Sequence, residues 1–351
     1  MHELLFKAQY VRYQYFGTRV TYSRNHTIPL SNFCRNDCGY CAFRPRFPGT
    51  SGKIYSPHEI KEQLHTAREQ KCWEVLFVTG EDGNSLAPVQ DFLRKFSWES
   101  IEEYYLWGLQ EAVSLGLLPH SNFGVIERSW LEKYKQWNAS MGLMLESCSN
   151  DLRAPQGPHY LSPGKDPLVR QNFIILAGKL SIPFTTGILV GIGEDVLSRL
   201  ESLLIIWKIA QRYDHIQEII IQNFVPNANT PLARNVPPSR EEMLRIVAIA
   251  RILFQGSVSI QVPPNLNPKG ILDFIHAGAN DLGGISPMTI DFVNPDEKWP
   301  VIEKLKQDLN VAGFSLTSRL PVYDSFISDK FLSSRILHNI VVARRDFIDV
   351  I

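Results

Sequence analysis

Two kinds of hydrophobic pattern alternate along almost the whole chain. Short runs rich in β-branched, aromatic and aliphatic residues occur at His26–Phe33, Trp73–Thr79, Leu117–Phe123, Ser140–Glu146, Pro183–Val190, Ile216–Phe224, Val258–Val262 and Asp281–Ile285. Between them, apolar positions recur at spacings of three and four over Pro57–Gln70, Trp98–Leu115, Ser129–Trp137, Asp166–Leu180, Glu194–Arg212, Ser239–Phe254, Pro268–His276 and Lys298–Ala312. The first kind has the length of a strand and the second the period of an amphipathic helix. Thr186–Val190 and Glu218–Ile221 are mostly apolar, as expected of strands buried on both faces.

Strand–helix units in series imply parallel strands joined by crossover helices. Eight such units suffice to close an α/β barrel of the TIM type, the expected fold; an open doubly wound sheet is the competing architecture. The expected organisation is an N-terminal extension over 1–20 with no clear period, a barrel domain over 21–323, and a tail over 324–351 packed on the barrel. Within the tail, the apolar stretch Phe331–Val342 is expected to form an extra helix or strand. Chemistry in such barrels sits on the loops that follow the strands. A functional residue should therefore lie just after a strand-like run.

Composition narrows the classes. The 351 residues carry 36 basic and 36 acidic side chains, so no electrostatic footprint for nucleic acid or an anionic membrane is visible. No apolar run reaches the length that spans a bilayer, and Met1–Arg24 lacks the unbroken apolar stretch of a secretory signal. A soluble, cytoplasmic protein is expected. The five cysteines, an odd count in a large chain, do not read as a disulfide framework.

Three of those cysteines fall within eight residues, Cys34, Cys38 and Cys41, directly after the first strand-like run. Three thiolates at this Cys-x3-Cys-x2-Cys spacing can hold one face of a [4Fe–4S] cubane and leave the fourth iron without a protein ligand. An open metal position is what distinguishes a catalytic site from a structural one. The rival readings are a zinc site and a set of unrelated thiols. Zinc prefers a second cysteine or histidine pair, and Cys72 and Cys148 stand singly. Those two are expected to be small buried hydrophobes.

With an aromatic, Tyr40, before the last cysteine, this spacing resembles the signature of the radical S-adenosylmethionine (SAM) superfamily. Further runs resemble one family within it, the 7,8-didemethyl-8-hydroxy-5-deazariboflavin synthases (the CofG subunit): Thr21–Ser23, Ile28–Asn32, Cys38–Arg44, Leu117–His120, Asn138–Ser147, Ile182–Glu194, Gln222–Phe224, Pro263–Leu266, Asn280–Pro287 and Arg319–Tyr323. The resemblance covers about Thr21 to Tyr323. It implies a [4Fe–4S] cluster and SAM as cofactors, a reducing electron donor, and cleavage of SAM to a 5′-deoxyadenosyl radical. The implied substrate is 5-amino-5-(4-hydroxybenzyl)-6-(D-ribitylimino)-5,6-dihydrouracil, closed to the deazaflavin with loss of ammonia. A CofH-type enzyme, free or in complex with this chain, would supply it. Alternatives are a CofH-type activity for this chain itself and a non-enzymatic metal-binding protein; a sulfur inserter would need a second cluster.

The resemblance also implies site residues. Tyr40 is expected near the adenine. Thr79-Gly80-Glu81 stands where many superfamily members have Gly-Gly-Glu for the SAM ammonium, so the match is partial; Glu81 as a solvated loop acid is the alternative. Glu146, after a nearly apolar run, is expected to meet the SAM ribose or ammonium, because a buried carboxylate needs a partner; a structural ion pair is the alternative. Gly187 and Gly191 are expected to line the adenine, or else to serve only a tight turn. Gln222 and Asn223 offer amides suited to a uracil edge or ribityl hydroxyls. Asn265 and Asp281 are weaker candidates. His58 and His120 are possible acid–base groups, and nothing selects a catalytic one.

Overall fold

The computed structural model describes residues 1–46 and 51–348. Strand β1 (Arg19–Ser31) closes the barrel because it is long enough to pair differently along its two halves. Its first half runs parallel to β8 (Asp281–Ile285), with Thr21 opposite Asp281. Its second half runs parallel to β2 (Glu74–Thr79), with Asn25 opposite Glu74. Around the remainder of the circle stand β3 (Leu118–Asn122), β4 (Ser140–Gly142), β5 (Phe184–Val190), β6 (Ile216–Asn223) and β7 (Ser259–Gln261), each parallel to its predecessor. This is the expected eight-stranded α/β barrel.

The crossover helices α2 (Pro57–Glu69), α3 (Ala87–Phe96), α4 (Ile101–Ser114), α5 (Arg128–Lys135), α6 (Pro167–Lys179), α7 (Val196–Tyr213), α8 (Arg240–Phe254), α9 (Ile271–His276) and α10 (Ile302–Val311) are set by local signals. Ser56 and Ser239 form capping boxes with Glu59 and Glu242 before α2 and α8. Asp166 and Asp195 cap α6 and α7. Outward strand residues such as Ile28, Phe77 and Ile219 are fully buried beneath these helices. The barrel interior holds a cavity lined by both apolar and polar side chains.

The structure departs from the pattern-based reading in five places. Strand β1 begins at Arg19, well ahead of the expected run at His26 and inside the expected extension over 1–20, because its first half pairs with β8 and β9. Residues before β1 form α1 (His2–Phe16), which packs on α8 through few side chains: Ala8, Val11 and Arg12 are buried while Phe6, Tyr10, Tyr13 and Tyr15 are exposed. Aromatic residues on both faces hide the helical period. The stretch expected to be helical from Trp98 starts at Ile101, capped by Ser100, and α3 stands before it. The run Ser140–Glu146 keeps strand geometry for three residues, and Glu146 then takes a left-handed backbone, φ 65°. Finally, β9 (Ser315–Arg319) pairs with β1 over Arg19–Ser23, before β2 begins.

After β9 the chain passes beneath the barrel. The carbonyl of Pro321 accepts from Ser140 Oγ (2.7 Å) and Gln217 Nε2 (3.0 Å). The tail then forms α11 (Ser334–Ile348), a helix rather than a strand. Ile336, Ile340 and Ala343 bury against Trp73, Val113, Leu118 and Ala139, and Asn339 Nδ2 donates to the carbonyls of Val113 and Leu117. Residues 349–351 of the expected tail lie outside the described residues. Among the described residues no helix is long and apolar enough to cross a membrane.

Candidate active site

The loop after β1 carries the three cysteines, as barrel anatomy requires. It is pinned at several points. The backbone N–H groups of Asp37 and Gly39 donate to the carbonyls of Leu161 and Pro158 (3.0 and 2.8 Å). Arg44 and Arg46 both pair with Asp37 at 2.6 Å, and Arg46 also donates to the Cys38 carbonyl. Cys34, Cys38 and Cys41 all line the upper part of a cavity of about 400 Å³.

Burial pushes the Cys38 thiol up to about 11, with Lys165 pulling it back, and raises that of Cys41, opposed by the backbone N–H groups of Arg44 and Phe43 and then by Lys165. Such thiols ionise on meeting a cationic metal centre. Among the described residues no three His, Cys, Asp or Glu side chains converge on a point as the ligands of one metal ion do. A cubane binds each of three cysteines to a different iron. All three cysteines line the same cavity here.

Glu146 lies on the cavity wall against the cysteine loop. Tyr40 Oη donates to it, Lys165 Nζ pairs with it, and His159 Nε2 lies 3.2 Å and Arg170 Nη2 3.6 Å away. Burial alone would raise the pKa of this carboxyl. Lys165, then Arg170 and His159, outweigh burial and hold it well below the usual carboxylate range. Glu146, Lys165 and Arg170 line the cavity with Tyr40. The strand pattern places Glu146, but not its partners. Lys165 ends a short turn, Pro163–Lys165, in an irregular segment with no period to read.

Thr79, Gly80 and Glu81 also line the cavity. Gly80 is required by packing, since an added Cβ would lie 2.0 Å from the Phe33 carbonyl oxygen and 2.8 Å from Cys34 Cβ. Glu81 is no solvated loop acid, being 4 % exposed. Its Oε1 accepts from Arg35 (2.8 Å) and its Oε2 from the Val125 N–H (3.1 Å). Protein groups already satisfy this carboxylate, and its backbone braces Cys34.

The glycines expected beside the adenine have another reason to be small. A Cβ on Gly187 would meet the Ile220 backbone at 2.1 Å, and one on Gly191, at φ 99°, would meet Pro238 at 2.5 Å. The residue of that run that faces the cavity is Leu189. The loop beyond is held by Glu194, which accepts from the N–H groups of Gly191 and Ile192.

Gln222 and Asn223 line the cavity at the end of β6. The Asn223 amide is engaged with the Leu266 carbonyl and with Asn267, so it ties β6 to the following loop. Asn265 lines the cavity and donates to Asp291. Asp281 sits at the foot of β8 instead, paired with Arg319. His120 lies in the barrel against Ser140, and burial lowers its pKa to about 4, so it is neutral. His58 is on the surface of α2 beside Glu62, away from the site. Cys72 is fully buried, as expected, but Cys148 is not a buried hydrophobe: it is half-buried, and its thiol donates to the Ser198 carbonyl, outside the cysteine loop.

A parallel barrel with three cysteines on its first loop and a cavity beneath them defines the radical SAM class, and residues 28–204 match the family model described as the Radical SAM superfamily. Among solved structures, methylornithine synthase superposes with a TM-score of 0.71 at 23 % identity, covering 90 % of this chain and 88 % of that one. The [FeFe]-hydrogenase maturase HydG superposes with a TM-score of 0.72 at 16 % identity, over 90 % of this chain and 69 % of that one. These two share the fold. A 7,8-didemethyl-8-hydroxy-5-deazariboflavin synthase of Methanothermobacter thermautotrophicus is 46 % identical over 332 residues, 95 % of this chain and 100 % of that protein. One of Methanocaldococcus jannaschii is 42 % identical over 324 residues, 92 % and 88 % of the two chains. The chain belongs to the 7,8-didemethyl-8-hydroxy-5-deazariboflavin synthase family.

Proposed function

We propose that the chain converts 5-amino-5-(4-hydroxybenzyl)-6-(D-ribitylimino)-5,6-dihydrouracil and SAM to the deazaflavin, ammonia, methionine and 5′-deoxyadenosine, as a carbon–nitrogen lyase. The observation that carries this reading is the shared cavity: the three cysteines and the Glu146 network open into one space inside the barrel. When bound, a [4Fe–4S] cluster with SAM supplies a 5′-deoxyadenosyl radical.

The protein's part is binding, orientation and exclusion of water. Cys34, Cys38 and Cys41 would hold the cluster. Arg170 and Lys165 present cationic groups beside Glu146 and would receive the carboxylate of SAM. Glu146 is kept ionised by those neighbours and would accept from ribose hydroxyls or the SAM ammonium. Tyr40 would pack against the adenine, while Thr79 and Gly80 shape the wall beside the methionine end. Gln222 offers its amide to the uracil edge. A CofH-type enzyme would deliver the substrate, and a low-potential donor would supply the electron.

The test is anaerobic reconstitution, reduction, and incubation with SAM and the hydroxybenzyl adduct. Blue-fluorescent deazaflavin with 5′-deoxyadenosine is expected. 5′-Deoxyadenosine formed only with tyrosine and a ribitylaminouracil would move the assignment to the partner activity. No SAM cleavage with a full cluster would overturn both.

A further inference from the structure

The cavity does not end below the cysteine loop. It continues down the barrel, and its lining changes with depth. Strands in a parallel barrel all rise toward the mouth, so a residue earlier in its strand lies deeper. Leu76, Val78 and Ile220 form a middle band with Leu143 and Met144. Two residues earlier in the same strands stand Glu74 and Glu218, joined on the lining by Asn25, Thr185, Gln261 and Arg319. The depth from this floor to Gly80 is about 15 Å, allowing for strand rise and barrel tilt.

The floor is rich in acceptors. Glu74, Glu218 and Asp281 are 6 %, 4 % and 0 % exposed. One cation, Arg319, faces them. It grips Asp281 with two donors (2.7 and 2.9 Å) and reaches Glu218 Oε1 at 2.7 Å. Tyr323 Oη and Thr185 Oγ1 also donate to Glu218, and Gln261 faces it. Burial raises the pKa of Glu218 and of Glu74, Arg319 only partly opposing it in each case. Asn25, 1 % exposed, faces Glu74, and its Oδ1 has no partner.

Filling this floor with an apolar ring would strand the buried Asn25 Oδ1, which is costly. A chain of hydroxyls would satisfy it, because each hydroxyl both donates and accepts. We propose that the barrel floor is the recognition site for the ribityl chain of the substrate, with Asn25 Oδ1 and Glu74 taking its hydroxyl hydrogens while the rings occupy the apolar band above and Glu218, already held by protein donors, shapes the wall beside them. Arg319 is a positioning residue that holds Glu218 and Asp281 in place. The assignment rests on the deazaflavin-forming reading and names where one part of that substrate goes.

The test compares the natural adduct with an analogue carrying an ethyl group in place of ribityl, on the reconstituted holoenzyme. Steady-state kcat/KM is read for both, with calorimetric Kd values measured without SAM. The wild type is expected to prefer the ribityl compound by roughly a hundredfold or more, since a site built for hydroxyls rejects analogues lacking them. Asn25→Ala should shrink that preference about tenfold, through KM and Kd rather than kcat, the size of one hydrogen bond. Glu74→Gln should shrink it too. Asn25→Ala carries the test if Glu74→Gln folds poorly: the Asn25 oxygen has no protein partner to lose, and loss of the side chain's bond to Glu74 would act on both compounds. An unchanged preference in a folded, iron-loaded Asn25→Ala protein, or equal losses on both compounds, overturns the proposal. A wild-type enzyme that makes no deazaflavin overturns the functional reading beneath it, a different result.

Discussion

The backbone N–H of Glu81 donates to the sulfur of Cys34 at 3.2 Å. The end of β2 thus sets the position of the first cysteine, and Gly80 permits the approach. Gly80→Ala would drive a Cβ into the Phe33 carbonyl and Cys34. It is expected to lose most of its iron on reconstitution, measured as iron per chain and by the cluster absorbance. Gly83→Ala, whose Cβ would lie 3.3 Å from Val89 Cγ2, is the milder control.

Replacing any of Cys34, Cys38 or Cys41 with Ala should abolish the cluster chromophore and all SAM cleavage. Cys72→Ala should retain both, since that thiol is buried beneath the helices. Loss of the cluster in the Cys72 variant with an intact fold would contradict the ligand assignment.

Glu146→Gln removes the charge that Lys165, Arg170 and Tyr40 surround. Its iron content should match the wild type. The KM for SAM should rise more than tenfold, as expected for hydrogen bonds to a charged group worth about 1.5–3 kcal/mol. Equilibrium binding of SAM measures this directly.

His215 is fully buried, its Nε2 bonded to the Ile174 carbonyl at 3.0 Å. Burial lowers its pKa to about 4, the carbonyl opposing only in part. Between that value and the unfolded value near 6.5 the unfolded chain binds more protons. The stability contributed by the neutral ring is therefore full above about pH 6.5 and is lost as pH falls toward 4. Its slope is at most about 1.4 kcal/mol per pH unit. His215→Gln should unfold in urea with a shallower dependence on pH from 4.5 to 6.5.

Ile340 on α11 is 2 % exposed. Ile340→Ala should cost about 2–5 kcal/mol of stability, the range for such core truncations. Thermal unfolding reports it, and kcat at low temperature should stay near wild type.

How much of this was legible beforehand depends on the kind of signal. The barrel could be read because each unit carries its own period, and Asp281–Ile285 has the bounds expected. Helix α1 could not, because Tyr10, Tyr13 and Tyr15 point to solvent and erase the apolar stripe. Within the site, Cys34, Cys38 and Cys41 announce themselves by spacing, and Glu146 by standing at the end of an apolar run. Lys165, Arg170 and Arg319 are ordinary basic residues in sequence. Only the fold brings Arg319 from β9 to Asp281 on β8 and Glu218 on β6. Glu81 and Asn223 reach the cavity as expected, but protein groups already occupy much of their hydrogen-bonding capacity.

The passage of Pro321 beneath the barrel makes the interior a sack rather than a tube. The strap crosses the end opposite the cysteine loop, its Pro321 lining the cavity and bonded to Ser140 and Gln217, which leaves the mouth as the route for traffic. A molecule destined for the floor must pass the place where SAM would sit. With SAM and the ribityl chain placed as proposed above, loading would be last in, first out: the uracil adduct would enter before SAM, and 5′-deoxyadenosine and methionine would depart before the finished chromophore. Excess SAM should accordingly slow capture of the adduct in a rapid-mixing experiment, as a cork slows the filling of a bottle.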